Sequence, residues 1–303
     1  MNKPRRAPRR RIDGVLLLDK PNGMSSNAAL QKARWLFNAE KAGHTGTLDP
    51  MATGLLPLCL GEATKFAGEL LDADKTYEAL VRLGQTTDTA DAEGQVLETR
   101  PVTVSDAEVE AAITRFVGEI EQVPPMYSAL KRDGKPLYEY ARAGIELERQ
   151  ARRITIYRID WLGRDGSDIS LRVHCSKGTY IRTLAADLGA ALGCGAHLAA
   201  LRRTRIADLD IADALPLATL EALEGASRDA CLRPADALLA KLPIVCLDAA
   251  VAARFLHGQT VSQSGTSDTS GRCRVYCGER FIGLGEQTAE GWLKPLRLLA
   301  TVS

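Results

Sequence analysis

An α+β fold, a mixed and mainly antiparallel sheet with flanking helices followed by a small β-rich domain, is what the 303-residue sequence predicts. Three observations predict it. Segments with helical and with strand periodicity are interspersed along roughly the first 200 positions. "RRITIYRIDWL" and "SDISLRVHCSKG" are close enough in sequence to pair antiparallel. After Pro243 the pattern changes to short strands with polar turns, which suggests a separate unit.

The elements follow in order. "GVLLLDKP" reads as a short buried strand, because its apolar run is bounded by glycine and by Lys20-Pro21. "SSNAALQKARWLF" begins with a capping serine and puts Leu30, Ala33, Leu36 and Phe37 on one helical face. A second helix is expected over "GEATKFAGELL", then strands over "TYEALVRLG" and "GQVLETR" around the polar stretch "QTTDTADAE". Ser105 and Glu108 make a capping box for the helix "DAEVEAAITRFVGE". "VPPMYSALKRDGKPLYEYARAG", with its prolines and Asp-Gly turn, is an excursion from the core. "TYIRTLAADLGAALG" is a helix with Gly193 as its stop. Between about 208 and 241 the pattern weakens into alanine- and leucine-rich helical pieces and a proline-bearing link. "PIVCLD", the helix "AAVAARFLHG" and the strands "RCRVYCG", "RFIGLGEQ" and "WLKPLRLL" complete the chain.

Composition sets outer limits. Hydrophobic residues at 45% and charged residues at 25% are ordinary for a soluble globular protein. A net charge of +1 leaves nucleic-acid binding open, because that needs local rather than total positive charge. "MNKPRRAPRRR" supplies such a locality, and residues 1–11 read as a disordered basic arm, either touching phosphates or merely solvated. It is neither amphipathic nor serine-rich, as a transit peptide would be, and no apolar run is long enough to span a membrane. Seven scattered cysteines without a CxxC pair argue for reduced thiols in the cytosol. Cys273 and Cys277 would face one side of a strand, but no further ligands at zinc spacing lie near them.

The candidate chemistry centres on Asp49 in "GHTGTLDP". An Asx-Pro pair can serve turn geometry alone. Here, however, the uncharged run "PMATGLLPLCLG" follows it, so Asp49 would border a core, where an ionised carboxylate needs a cationic partner. Arg182 is available: it sits in the first turn of a helix, against the helix dipole, and so is held by something else. An ion pair at about 4 Å near a protein surface is worth roughly 4 kcal/mol of Coulomb energy before desolvation. Tyr77 and Tyr180 each follow a threonine at an element start, as core residues or as rings for stacking on a base. His44 lacks the neighbours of a metal ligand or a hydrolase triad. GxxxxGK[ST] and GxGxxG are both absent, so ATP and dinucleotide chemistry are unsupported and no cofactor is expected.

"GVLLLDKPNGMSS", "AGHTGTLDPMATGLLPLCLGEATK", "DKTYEALVRLGQTTDTADAEG", "PPMYSALKRDGKPLYEYARAG" and "CSKGTYIRTLAADLG" together resemble, in order over about residues 12–205, the successive motifs of the bacterial TruB-type tRNA pseudouridine synthases. "GCGAHLAALRRTRI" extends the resemblance, and the C-terminal segment is a weaker match to a PUA-like RNA-binding domain. The resemblance implies a pseudouridine synthase fold over residues 12–240 and a PUA-like domain over 243–303. It implies Asp49 as the catalytic aspartate, Arg182 as its partner, and Tyr77 as the ring that stacks on the target uracil. Tyr180 and Leu201 would complete the uridine pocket, His44 would enter the RNA loop, and Asp91 would make a further substrate contact. Lys20 is placed on the substrate side too, although its Lys-Pro motif is chiefly structural. Thr47 departs from the alanine of many members, but stays small.

The implied reaction is the isomerisation of uridine to pseudouridine at position 55 in the T loop of tRNA. No electrons or phosphates change hands, in keeping with the missing cofactor motifs, and no metal is expected. Flipping the base out costs a few kcal/mol, least in a loop. The expected partner is the T arm of tRNA, with no membrane and no protein partner, for a cytoplasmic monomer. Two alternatives are a guide-RNA-dependent relative and a non-catalytic tRNA-binding or folding protein. The intact excursion favours the stand-alone form, since guide-dependent relatives are trimmed there.

Overall fold

Strand β1 (Gly14–Lys20) is buried on both faces, which is why its sequence is an unbroken apolar run rather than an alternation. The computed structural model describes residues 8–262 and 270–300. Helix α1 (Ser26–Leu36) starts where Ser25 accepts a hydrogen bond from the Ala28 amide, and turns Ala29, Leu30 and Ala33 to the core. β2 (Ala42–His44) and β3 (Thr53–Leu60) frame the loop that carries Asp49. Residues Gly61–Leu70 form the expected helix, wound as a 3-10 helix. Buried Ala63 and Phe66 are three apart, which suits three residues per turn, and Gly61 and Gly68 weaken the α alternative.

β4 (Lys75–Leu83) alternates buried and accessible positions. The strand expected over 94–100 is β6 (Val96–Thr99), but it pairs only with β5 (Gln85–Thr87), outside the main sheet. α2 (Asp106–Thr114) has both halves of the Ser105–Glu108 capping box. β7 (Gly118–Gln122) precedes the excursion, which holds a tight hairpin, β8 (Lys131–Arg132) and β9 (Lys135–Pro136), and α3 (Leu137–Arg142). β10 (Arg152–Asp165) and β11 (Asp168–Cys175) are the expected antiparallel pair. α4 (Ile181–Ala191) follows, with Gly193 at φ 75° as its stop. Then come β12 (Ala196–Ile206), β13 (Leu209–Asp210), β14 (Leu215–Pro216), α5 (Leu217–Ala222) and α6 (Gly225–Asp229).

The main sheet runs in the order β14, β1, β3, β12, β4, β11, β10, β7, with β2 on β3 and β13 on β12. It is mixed and mainly antiparallel: only β1 with β14 and β3 with β12 are parallel. Helices α1, α2 and α4 cover one face over the largest core, which includes Leu18, Phe37, Leu58, Tyr77, Val81, Leu171 and Leu184. A smaller cluster of Val15, Leu17, Leu55, Cys59 and Ile206 lies on the opposite side of β1 and β3, under Ala63 and Leu70. β12 therefore joins the two halves of the sheet, and its pairing to β3 is only two residues long, Arg202 with Thr53 and Arg203 with Gly54.

That joint explains one glycine. Gly54 has φ +103°, and a Cβ there would lie 2.3 Å from the Arg203 carbonyl oxygen. Gly54→Ala is expected to destabilise the fold by at least about 2 kcal/mol, read as a lower denaturation midpoint, because neither strand can retreat without losing the joint.

The C-terminal part is β15 (Ile244–Leu247), α7 (Ala249–Leu256), β16 (Val261–Ser262), β17 (Gly271–Cys277), β18 (Arg280–Gln287) and β19 (Trp292–Leu298). Its five strands form a separate sheet over their own core, centred on Phe255, Val275 and Leu293. It meets the 3-10 helix through Phe66, Leu239 and Leu284, and through Glu62, which accepts hydrogen bonds from Lys65 and the Ala300 amide, both at 2.6 Å. Cys273 and Cys277 both pack towards this core, and all seven cysteines are free thiols. No helix among the described residues is long and apolar enough to cross a membrane.

The expectation of a free basic arm over 1–11 needs correction at its end. Residues 1–7 lie outside the described residues, but Arg10 bridges to Ala39 and pairs with Asp229 at 2.6 Å. Asn38 also donates to the Pro8 carbonyl. A partner for both the backbone and the guanidinium keeps this stretch on the surface of the fold.

Candidate active site

Asp49 lies in the loop between β2 and β3, and the loop is tied down from three sides. The Leu48 amide donates to buried Ser26 Oγ at 2.7 Å, and that hydroxyl donates back to the Leu48 carbonyl at 3.0 Å. The Ala52 amide donates to the Asp49 carbonyl, closing a turn with Pro50 at its second position. From below, Lys20 Nζ donates to the carbonyls of Pro21, Met24 and Pro50. The carboxylate is thus held by backbone that has little freedom to move.

Arg182 meets it from the first turn of α4. Its Nε is 3.0 Å from Asp49 Oδ2, its Nη1 3.5 Å from Asp91 Oδ2, and its Nη2 donates to the Tyr127 carbonyl at 2.6 Å. The guanidinium is buried and fully engaged, which accounts for a cation at a helix end whose dipole disfavours it. Tyr180 is the N-cap residue of the same helix, fixed on both sides by Gln122: its amide donates to Gln122 Oε1 at 2.8 Å, and Gln122 Nε2 donates to its carbonyl at 3.0 Å.

Asp49, Tyr77, Tyr180, Arg182 and Leu201 line one cavity of about 170 Å³, together with Thr47 and Ser128 among others. Five of the eight residues singled out from the sequence therefore converge. The other three do not line it. Asp91 is buried behind Arg182, where its Oδ1 accepts from Thr89 Oγ1 at 2.6 Å and from the Glu93 amide at 3.0 Å; it contacts the arginine rather than the cavity. Lys20 is wholly buried with its ammonium spent on carbonyls, so the expected substrate contact is replaced by support of the Asp49 turn. His44 ends β2, outside the cavity lining, and its Nδ1 accepts from the Gly46 amide at 3.4 Å.

The electrostatics follow from burial. Burial pushes the Asp49 carboxyl above its ordinary 3.8, Asp91 pushes the same way, and Arg182 and Lys20 oppose. The folded chain thus holds this proton more tightly than the unfolded one, so ionising Asp49 subtracts stability as pH rises from about 3.8 through the raised value. Burial lowers Lys20 to about 8 and, with the Arg203 charge, lowers His44 and favours its neutral form. Tyr77 is raised by burial, against the pull of Arg203.

Gln122, Ser26 and Arg203 were not singled out from the sequence. Gln122 closes a strand of alternating charge, Ser26 sits beside the capping serine, and Arg203 lies in β12, where two register shifts, at Leu198/Ala200 and Arg203/Arg205, break the period that would mark its side.

The sequence matches, over residues 34–181, the family described as "TruB family pseudouridylate synthase (N terminal domain)". Residues 182–240 match "tRNA pseudouridylate synthase B C-terminal domain", and 243–299 match "Pseudouridine synthase II TruB, C-terminal". A curated protein of Azoarcus sp. (strain BH72) named "tRNA pseudouridine synthase B" is 61% identical over 297 residues, covering 98% of both chains. One of the same name from Aromatoleum aromaticum is 59% identical over all of this chain and 97% of its own. Among solved structures, "Structure of H/ACA RNP bound to a substrate RNA containing 2'-deoxyuridine" superposes with a TM-score of 0.71 at 25% identity, covering 95% of this chain and 85% of the other. The fold, the converging residues and these matches lead to one statement: the chain belongs to the TruB family of pseudouridine synthases and is a tRNA-modifying isomerase of the bacterial type.

Proposed function

We propose that the enzyme converts uridine to pseudouridine at position 55 in the T loop of tRNA, with Asp49 as the catalytic carboxylate. The observation that carries this reading is the Asp49–Arg182 pair, at 3.0 Å, on the wall of a cavity that also has two tyrosines and Leu201. The flipped uracil enters the cavity and stacks on Tyr77, with Tyr180 and Leu201 closing the pocket. His44, neutral and outside the pocket, fills the space that the base leaves in the RNA loop. Asp91 acts through Arg182, and Lys20 through the Asp49 turn.

Ionised Asp49 attacks C1′, attacks C6, or removes the 2′ proton; each route breaks the N1–C1′ bond and lets the base turn before C5 joins C1′. C5 then carries a hydrogen that must leave. Tyr77, the ring beside the base, takes that proton as the C–H electron pair restores the C5–C6 double bond and N1 gains a proton. Residues 243–300 add RNA affinity as a PUA-like domain, and the reaction runs without cofactor or metal on a monomer in the cytoplasm.

The test is tritium release from a T-arm RNA labelled at uridine C5. Release that matches pseudouridine formed, and disappears when the target uridine is replaced by cytidine, is the expected result. Release from many uridines, or none, overturns the proposal.

A further inference from the structure

Arg203 is a buried cation for which no carboxylate partner exists among the described residues. Only 1% of it is exposed. Its Nε donates to the Leu55 carbonyl at 2.8 Å and its Nη1 to the Thr47 carbonyl at 3.4 Å, while Nη2 has no hydrogen-bond partner of good geometry. A charge this deep is costly unless something compensates it. Arg182, the other arginine of the site, has two carboxylate partners and the Tyr127 carbonyl, so Arg203 needs a separate reason.

The sheet register supplies it. Arg203 on β12 stands directly opposite Tyr77 on β4, and directly opposite residues project from the same face. The guanidinium and the phenol attract each other, whereas Cys175 of β11 and Asp49 disfavour the phenol's anion. Arg203 is thus the cross-strand neighbour whose charge favours a negative Tyr77 oxygen. The same side chain reaches Thr47, two positions before Asp49, so it links the loop of the first reaction half to the ring of the second.

We infer that Arg203 is a positioning residue for the closing step: its otherwise unpaired buried charge holds Tyr77 and stabilises the phenolate form that accepts the proton leaving C5. The step balances as follows. The phenolate oxygen takes the C5 proton, the C5–H electrons form the C5–C6 double bond, and the electrons released towards N1 are met by a proton there. In the free enzyme burial keeps Tyr77 a neutral phenol, with the Arg203 charge opposing that rise; the phenol gives its own proton to solvent to reach the phenolate form and is a phenol again once it holds the C5 proton.

The inference rests on the uridine isomerisation proposed above. It is tested with T-arm RNA carrying hydrogen or deuterium at uridine C5, under single turnover, in the wild type, Arg203→Met, Arg203→Lys and Tyr77→Phe. Arg203→Met is expected to slow pseudouridine formation by about 10²-fold and to show a larger primary isotope effect than the wild type, because proton removal becomes limiting. Arg203→Lys, which keeps the charge, should recover part of the rate. Tyr77→Phe, which leaves Arg203 in place, should show the same enlarged isotope effect, and it decides the matter if Arg203→Met does not fold. An unchanged isotope effect in the variants, with an active wild type, overturns the role of Arg203. A wild type that releases no C5 hydrogen overturns both this and the proposed function.

Discussion

Asp49→Asn is expected to abolish tritium release, by about 10⁴-fold or more, while RNA affinity stays within a few-fold of the wild type. The substitution keeps the shape of the side chain and removes only its charge and basicity. Arg182 remains held by Asp91 and the Tyr127 carbonyl, so the cavity wall should not rearrange. Stability provides a second reading. Since ionised Asp49 subtracts stability above its raised pKa, the asparagine variant should unfold at neutral pH no more readily than the wild type. Catalysis and stability would then oppose each other at this position, as they do where a fold holds a charge that the reaction needs. A variant that turns over normally, or one that loses RNA binding together with activity, refutes the catalytic assignment.

Arg182→Met should cost nearly as much activity and, unlike Asp49→Asn, should also weaken the fold. Removing the guanidinium leaves Asp91 buried without a cation, at about 3 kcal/mol, and leaves the Tyr127 carbonyl without its donor. The sign of the pH effect is fixed by the geometry. Arg182 is the chief group that opposes burial at Asp49, so its loss raises the Asp49 pKa further. Residual activity, which needs the carboxylate ionised, should therefore rise with pH over a more alkaline range than in the wild type. Single-turnover rates between pH 5 and 9 would show it; an unshifted profile would mean that the two residues do not share one electrostatic environment.

The sequence made much of this legible, for identifiable reasons. Asp49 and Arg182 each sit against a local preference, a carboxylate at the edge of an apolar run and a cation at the wrong helix end, and such conflicts point to a shared tertiary partner. Tyr77, Tyr180 and Leu201 were placed by the family resemblance, and the cavity brings them together. Asp91 and Lys20 were put on the substrate side because a resemblance gives residues without depth; burial puts one behind Arg182 and the other beneath the turn. Arg203 stayed hidden because bulges in β12 shift its parity, and because an arginine in a strand of several reads as surface. The helix at Gly61–Leu70 is legible as a helix but not as a 3-10 helix, because apolar spacing does not separate three residues per turn from 3.6.

The two-residue joint between β3 and β12 also governs when the enzyme can come into being. Asp49 belongs to the half built from β1 to β3, Tyr77 to the half built on β4, and the strand lying between them is made only at residues 196–206. Neither half can close on the other while the ribosome is still short of that point. A nascent chain of some 190 residues would present one edge of β4 and the Thr53–Gly54 end of β3 unpaired, the kind of surface that invites aggregation or a wrong partner strand. Once β12 is made, one event joins the two halves of the sheet, places Arg203 opposite the tyrosine and brings the aspartate loop into position. For this chain, joining the two halves of the main sheet and assembling the catalytic centre are the same moment of synthesis.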